Sequence, residues 1–384
     1  MIGERSRYTL ETVPQTDEIY ARWDDGEDDG IDAGYRKYIR SKWVFIAVCA
    51  AATFLLVGLS VTIGEYPVGF VESFQLMFQH AAYEIGDFLG LNVIAPSGVA
   101  DHVVWNLRLP RILVAVIGGV GLAIAGAAMQ STLKNPLADP YTTGISSGAG
   151  FGATIAICYG AGIAAGSAAI VVNAFIFSLI PTAMIIAIAA VKKVSPTSMI
   201  LAGIAVMYIF NALTTVMMLW ADPDSMAAVY SWQVGTLEGI TWADIPVMFI
   251  VTLVGSILIL LLSNKLNVLA AGDDSARSLG IDASKLRIVI LIVVSLVTAS
   301  IVSFTGIIGF VGLVAPHVAR IFIGSDNRYL VPASAAFGAA LLLVSDLVGR
   351  TIIAPAVLQV GVVTAFLGGP LFLYLIVRQK KEAW

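Results

Sequence analysis

The sequence predicts an all-α protein that crosses a membrane about ten times, a polytopic bundle with both termini on the cytoplasmic side. Three observations carry that expectation. The chain of 384 residues is 58% hydrophobic and 12% charged, against about 25% charged residues in an ordinary soluble domain. Apolar runs of about 20 residues recur along it, each long enough to cross a hydrocarbon core of roughly 30 Å as a helix. Basic residues gather in alternate connections between those runs, the pattern that fixes orientation. A water-soluble enzyme is excluded, because too little polar surface remains to cover a globule of this size. A disulfide scaffold is excluded too, since Cys49 and Cys158 both lie inside apolar runs with no pairing pattern.

Taken in order, residues 1–42 form an acidic N-terminal tail. Up to residue 35 it holds Glu4, Glu11, Asp17, Glu18, Asp24, Asp25, Glu27, Asp28, Asp29 and Asp32 against Arg5, Arg7 and Arg22, a balance of −7 that hides a basic remainder of +3. The tail lacks hydrophobic periodicity and is expected to be disordered. An acidic leader ahead of the first apolar run, at Trp43, does not read as a secretory signal. The membrane body is then 43–378, followed by a short cytoplasmic end at 379–384. Runs and breakers place spans near 43–63, 111–131, 140–160, 167–191, 197–220, 244–263, 286–305, 309–323, 330–349 and 356–377. Gly306, Gly309, Gly312 and Pro316 interrupt the eighth, and broken backbone at membrane depth survives where protein or a watery cavity covers it.

With ten spans, sixteen bases near the membrane fall on the side of the termini and three on the other. That asymmetry puts the termini in the cytoplasm. The three outer bases are Arg108 and Arg111, at the head of the second span, and Arg350, at the end of the ninth. Two readings stand for them. They snorkel at the interface, or they receive acidic groups arriving from outside, a task suited to the two-point guanidinium fork.

Small residues recur every fourth position along Gly144, Gly148, Gly152, Ala156 and Gly160, along Gly361, Ala365 and Gly369, and at Gly121 with Ala125. Such faces let helix backbones approach closely in lipid. Polar groups within the spans are few: Gln130, Asn173, Asn211, Ser303, Thr305 and Asp346. Asp346 is the one acid in a predicted span and lies one turn from Arg350, which suggests a local pair. A carrier driven by protons or sodium places ionisable groups or broken helices at mid-membrane, and no obvious machinery of that kind is present. The G-x-x-x-x-G-K-[ST] phosphate loop is absent as well, so ATP is not bound here by that route. Between the sixth and seventh spans, Gly272-Asp-Asp-Ser-Ala-Arg-Ser-Leu-Gly280 offers Asp and Ser to cap a short helix that Gly280 stops. Asp282 can start a second helix. The pair would suit a partner's groove, or would be a plain polar connection.

At this point the chain resembles the permease subunits of binding-protein-dependent ABC importers for ferric siderophores, haem and cobalamin. The likeness runs from Trp43 to Arg378. It passes through Arg108-Leu-Pro-Arg111, Gly126-Ala-Ala-Met-Gln130, Asn135-Pro-Leu-Ala-Asp-Pro140, Gly144-Ile-Ser-Ser-Gly-Ala149, Leu201-Ala-Gly203 and Ala276-Arg-Ser-Leu-Gly280. It continues through Gly306 to Arg320 (with Pro316-His317), Asp346, and Gly361 to Pro370. The resemblance implies a permease that pairs with a second copy or a paralogue, two cytoplasmic ATP-binding subunits and an extracytoplasmic substrate-binding protein. It places the chain in the cytoplasmic membrane of a prokaryote, among lipid and without nucleic acid. Arg108, Arg111 and Arg350 would meet glutamates of the binding protein. Asp274, Ser275, Ala276, Arg277, Ser278, Leu279 and Gly280 would seat on the ATPase. Asn135, Pro136 and Leu137, with Thr197 and Ser198, would form the cytoplasmic gate. No cofactor or metal is expected in this chain, ATP and magnesium belonging to the partner ATPase. One departure from the pattern is Pro355-Ala-Val-Leu-Gln-Val-Gly361, which lacks the usual Glu and second Pro.

Met129, Met207, Met217 and Met218 are candidates for an adaptable pathway wall, though core or lipid-facing positions explain each more simply. Two rival functions are a secondary transporter and an intramembrane serine protease with Ser146 or Ser147 as nucleophile and His317 as base. No second catalytic signature accompanies the latter.

Overall fold

The structure is a computed structural model that describes residues 27–378 apart from 92, 94, 165, 167 and 192–194. The chain divides into two compact units, Met1–Val44 and Phe45–Trp384. Residues 1–26 and 379–384 lie outside the described residues, and with them most of the expected acidic tail and the expected C-terminal end. The rest of that tail departs from expectation, because α1 runs through Glu27–Thr62.

The second unit is helical throughout, with no strand among the described residues. After α1 come α2 (Phe70–Phe88) and α3 (Val99–Leu133), a 35-residue helix whose Val103–Arg108 turn is π-helical. A 3-10 turn at Pro140–Thr143 leads to α4 (Ile145–Tyr159), α5 (Ala168–Val191), α6 (Pro196–Met218) and α7 (Pro223–Val234). Then follow α8 (Ile245–Leu261), α9 (Ser263–Ala271), α10 (Asp273–Ser278), α11 (Ala283–Thr305), α12 (Val311–Ile323), α13 (Asn327–Thr351) and α14 (Val360–Arg378). Each of the ten expected spans coincides with a helix, but among the described residues six helices are long and apolar enough to cross a membrane. A seventh span is counted if α8 and α9, bent by 57°, are taken together. The third and eighth are shorter for local reasons. Pro140 and the left-handed Gly144 delay α4, and Phe310 at φ +67° starts α12 late. A turn through Pro355 precedes the start of α14 at Val360.

The apolar window of α3 is 78% buried by the chain and that of α11 72%, against 17% in α1, so α3 and α11 form the centre and α1 the periphery. Close backbone approach makes this possible. At Gly126 of α3 an added Cβ would stand 1.8 Å from the Gly312 carbonyl oxygen of α12. At Gly148 of α4 it would stand 2.4 Å from that of Phe177 in α5. The small-residue face expected on the third span therefore packs against the fourth. Around Gln359, where the familiar Glu and Pro are missing, Gln359 Nε2 donates to Ser231 Oγ at 2.7 Å and Gly361 N donates to the Gly235 carbonyl at 3.2 Å.

Two apolar clusters fill opposite ends of the bundle. One gathers Leu133, Ala138, Met199, Leu266, Leu269, Ala276, Ala283 and Leu286 around the C-terminus of α3. The other gathers Val61, Val68, Val104, Leu109, Leu237, Ile240 and Val360 around its N-terminal half.

Candidate functional site: two polar poles of one bundle

At the first pole the three outer arginines converge. With Gly64, Glu65, Tyr66, Val103, Leu107 and Val357 they line a cleft of 280 Å³. Two of the three are largely buried. Arg108 is 5% exposed, and its guanidinium donates to the carbonyls of Val61 (2.7 Å), Thr62 (3.2 Å) and Tyr66. Arg350 is 8% exposed and donates to the carbonyls of Ile63 (2.9 Å) and, more weakly, Ser60 (3.4 Å). Both therefore satisfy the last carbonyls of α1, which have no intrahelical donors, and place positive charge at the negative end of its dipole. Arg111 Nε donates to Asp346 Oδ1 at 2.7 Å, and its Nη1 lies 3.7 Å from the exposed Glu238.

Asp346, fully buried, thus holds two cations. Arg350 Nε stands 3.0 Å from its second oxygen, without hydrogen-bond alignment. The local pair expected from spacing is present. Its extension to Arg111, across 235 residues of chain, was out of reach of spacing alone. A signal existed nonetheless, since a carboxylate within a span requires a buried cation. Arg350 Nη2 holds no hydrogen bond. Behind the cleft, α2 is fastened to the head of α3. His80 Nδ1 meets the Asp101 carboxylate at 2.9 Å, and the imidazole stacks on Trp105, their ring centroids 4.3 Å apart. Neither α2 nor these partners was legible as an element of the site.

The second pole lies at the far end of α3. Lys134 ends the helix in the left-handed conformation, and Asn135 Oδ1 accepts from Leu137 N at 2.9 Å. Pro136 and the 45%-exposed Leu137 follow. Met199 of α6 shares the same apolar cluster as Leu133 and Ala138, which brings the 196–199 turn to this end. There Ser198 and Ser195 form a reciprocal cap on α6, a helix-ending task that sequence reasoning had not given Ser198. Thr197 is exposed.

In α10, Ala276 is fully buried against that cluster while Asp274, Ser275, Arg277 and Ser278, and Leu279 and Gly280 just beyond the helix, are exposed. Two local expectations change. Gly272, at φ +137°, is the N-cap residue of α10, because the Asp273 carboxylate is engaged by Lys134 Nζ (2.7 Å) and Arg287. Asp282 does cap a helix, accepting from Ser284 N and Lys285 N at 3.1 Å, but that helix is the long α11 and not a second short one. The Arg287 guanidinium, with Lys134 beside it, holds the Asp273 carboxyl well below the usual carboxylate range.

Of the expected pathway methionines, Met129 is fully buried in the core. Met207, Met217 and Met218 are half-buried. Ser147 Oγ donates to the Gly144 carbonyl at 2.8 Å, and His317 is buried edge-on to Phe372. Among the described residues no group of three His, Cys, Asp or Glu side chains is placed to hold a metal ion.

The described residues thus form an all-helical bundle of several apolar spans, with a cationic cleft at one end and an exposed polar helix at the other. The chain belongs to the FecCD transport family, whose model matches residues 52–378. It is 40% identical over 278 residues to the cobalamin import system permease protein of Halobacterium salinarum, covering 72% of this chain and 74% of that one. To the hemin transport system permease protein of Yersinia pestis it is 37% identical over 283 residues, or 73% and 85% of the two chains. A solved inward-facing conformation of a metal-chelate type ABC transporter superposes with a TM-score of 0.75 at 26% identity, over 87% of this chain and 99% of that one.

Proposed function

We propose that this chain is the permease of an ABC importer that carries an iron chelate across the cytoplasmic membrane of a prokaryote. A ferric siderophore is the first candidate cargo, with haem and cobalamin behind it. The names of the relatives support the class of cargo. The observation that carries the mechanism is the polarity of the bundle. One end of α3 bears the arginine cleft and the other meets α10, anchored by Ala276 and Asp273 with Asp274, Ser275, Arg277 and Ser278 turned outward. With Lys134 and the α10 end in the cytoplasm, as the distribution of bases favours, the cleft faces the binding protein and α10 faces the ATPase.

In this reading a loaded binding protein presents carboxylates to the cleft. The outward side of Arg111 supplies donors there, while Arg108 and Arg350, largely buried, hold the rim in shape and add positive charge behind it. ATP and magnesium act in two partner subunits, whose movement enters through 274–280 and opens or closes the passage at 135–137 and 197–198. The half-buried Met207, Met217 and Met218 offer a soft, weakly binding wall, which favours release of a bulky chelate. A second copy or a paralogue completes the passage. Reconstitution with binding protein and ATPase in liposomes tests the reading. Uptake of radio-iron hydroxamate, radio-iron haem or labelled cobalamin is expected for one class, dependent on ATP and on both partners. Uphill uptake by the permease alone would replace this reading with that of a secondary transporter.

A further inference from the structure

The expected roles assign α10 to the ATPase and 135–137 to the gate, yet nothing in them says what joins the two. The joining atoms are present. Asp273, the first residue of α10, accepts Lys134 Nζ at 2.7 Å, and Lys134 is the residue immediately before the gate segment. The same carboxylate takes both guanidinium nitrogens of Arg287 (Nη1 to Oδ2, 3.0 Å) from the first turns of α11. Arg287 is fully buried, and its Nε reaches the Thr132 carbonyl in a long 3.5 Å contact.

A second set of bonds holds the other flank of the same helix end. Ser131 Oγ donates to Asn327 Oδ1 at 2.9 Å. Asn327 donates from its backbone N and its Nδ2 to Asn267 Oδ1 at 2.7 and 2.9 Å. Asn267 Nδ2 donates to Asp326 at 2.8 Å. Asn267 lies on α9, the helix directly before α10. The last turn of α3 is therefore fixed to α9 through one network and to α10 through the other. Asn327 is fully buried and Ser131 nearly so, which makes that network stiff, since buried polar groups that are fully bonded specify one arrangement.

We infer that the Lys134–Asp273–Arg287 cluster, braced by Ser131, Asn327 and Asn267, is the strut that carries displacement of α10 into the gate, and that Lys134 is its positioning residue. This rests on the coupling reading of α10 given above. Lys134 is the informative position because it is partly exposed, 31% at its side chain, so its removal leaves buried Arg287 still paired with Asp273.

The test uses the assembled transporter, permease with ATPase and binding protein, with Cys49 and Cys158 replaced by Ser and a reporter Leu137→Cys at the gate. The labelling rate of that thiol by a membrane-impermeant maleimide is read with and without ATP. A clear ATP-dependent change is expected in the parent. In Lys134→Ala that change should fall to less than half while binding-protein-stimulated ATP hydrolysis persists, and Lys134→Arg should restore it. The strut is refuted if Lys134→Ala keeps the full ATP response, if Lys134→Arg loses it as well, or if the parent shows none. Should Lys134→Ala fail to assemble, the same readout in Ser131→Ala decides, an intact response there refuting the brace. Replacing 275–279 by a Gly/Ser stretch separates the two ideas. If the thiol still responds to ATP, the coupling reading itself fails. If the response is lost there but kept in Lys134→Ala, only the strut fails.

Discussion

Gly126→Ala is the most exacting test of the packing. The added methyl would stand 1.8 Å from the Gly312 carbonyl oxygen, 2.6 Å from its carbon and 2.8 Å from its Cα. Even a favourable carbon–oxygen contact needs about 3.3 Å, so α3 and α12 would have to part by about 1.5 Å. All three obstructing atoms are backbone, and no rotamer change relieves them. A gap of 0.5–1 Å already forfeits roughly a quarter to a half of each atom pair's attraction, and overpacking commonly costs about 1–3 kcal/mol. The upper end of that range is expected here. Gly150→Ala on α4 is the matched control. Its Cβ would meet nothing nearer than Gln233 Nε2 at 4.0 Å, and replacing a helical glycine by alanine gains roughly 0.5–1 kcal/mol. Melting of the purified chain in one detergent at one heating rate should therefore show Gly126→Ala several degrees below the parent and Gly150→Ala at or above it. Equal melting of the two variants would refute the reasoning that these helices touch through backbone.

Three further outcomes follow from the polar poles. Arg108→Ala should lower thermal stability by about 1–3 kcal/mol, the cost of leaving buried carbonyls without donors; parent-like melting would show that the α1 carbonyls find water instead. Arg111→Glu should abolish stimulation of the ATPase by the binding protein in an otherwise assembled complex, and undiminished stimulation would remove the docking role from that residue. Asp326 is held down to about 2, chiefly by its bonds with Arg328, below the roughly 3.9 of an unfolded aspartate. Its contribution is complete above about pH 4 and is lost as pH falls through 2. Asp273, also depressed, adds to the loss in acid. The melting difference between the parent and a variant lacking the Asp326 charge should hold constant from neutral pH down to about 4 and shrink below it. Asp326→Asn should lie under the parent at neutral pH and converge with it in strong acid.

The apolar runs were legible because membrane depth imposes a length on each helix, and that constraint lies in consecutive residues. What the sequence hid depends on partners far apart. Arg108 and Arg350 looked like surface receptors, yet they close the end of α1, because the carbonyls of Val61, Thr62 and Ile63 come near them only when three helices assemble. Met129 looked like a candidate wall residue, and burial by α11 and the helices beside it made it core. α2 escaped because Glu72, His80, Glu84 and Asp87 break up its apolar run while Val71, Phe78 and Ile85 recur at sevens, a surface-helix pattern too polar to pass for a span. That Gly272–Gly280 can hold a short helix was legible from its Asp and Ser residues and the Gly280 stop. Its capping was not, because Asp273 is drawn away by bases remote in sequence.

The length of α3 has one more consequence. At about 1.5 Å per residue its 35 residues extend about 50 Å, well beyond a hydrocarbon layer of roughly 30 Å. Measured upward from Leu133 along an upright axis, about 20 residues use up that layer and end near Val114. Arg111 and Arg108 then stand some 5–10 Å above the oily boundary, at the depth of lipid phosphates and water. The guanidiniums there are held by the α1 carbonyls and by Asp346. The helix acts as a mast, raising its charges just clear of the acyl chains, and a tilt of a few degrees would lower them by little.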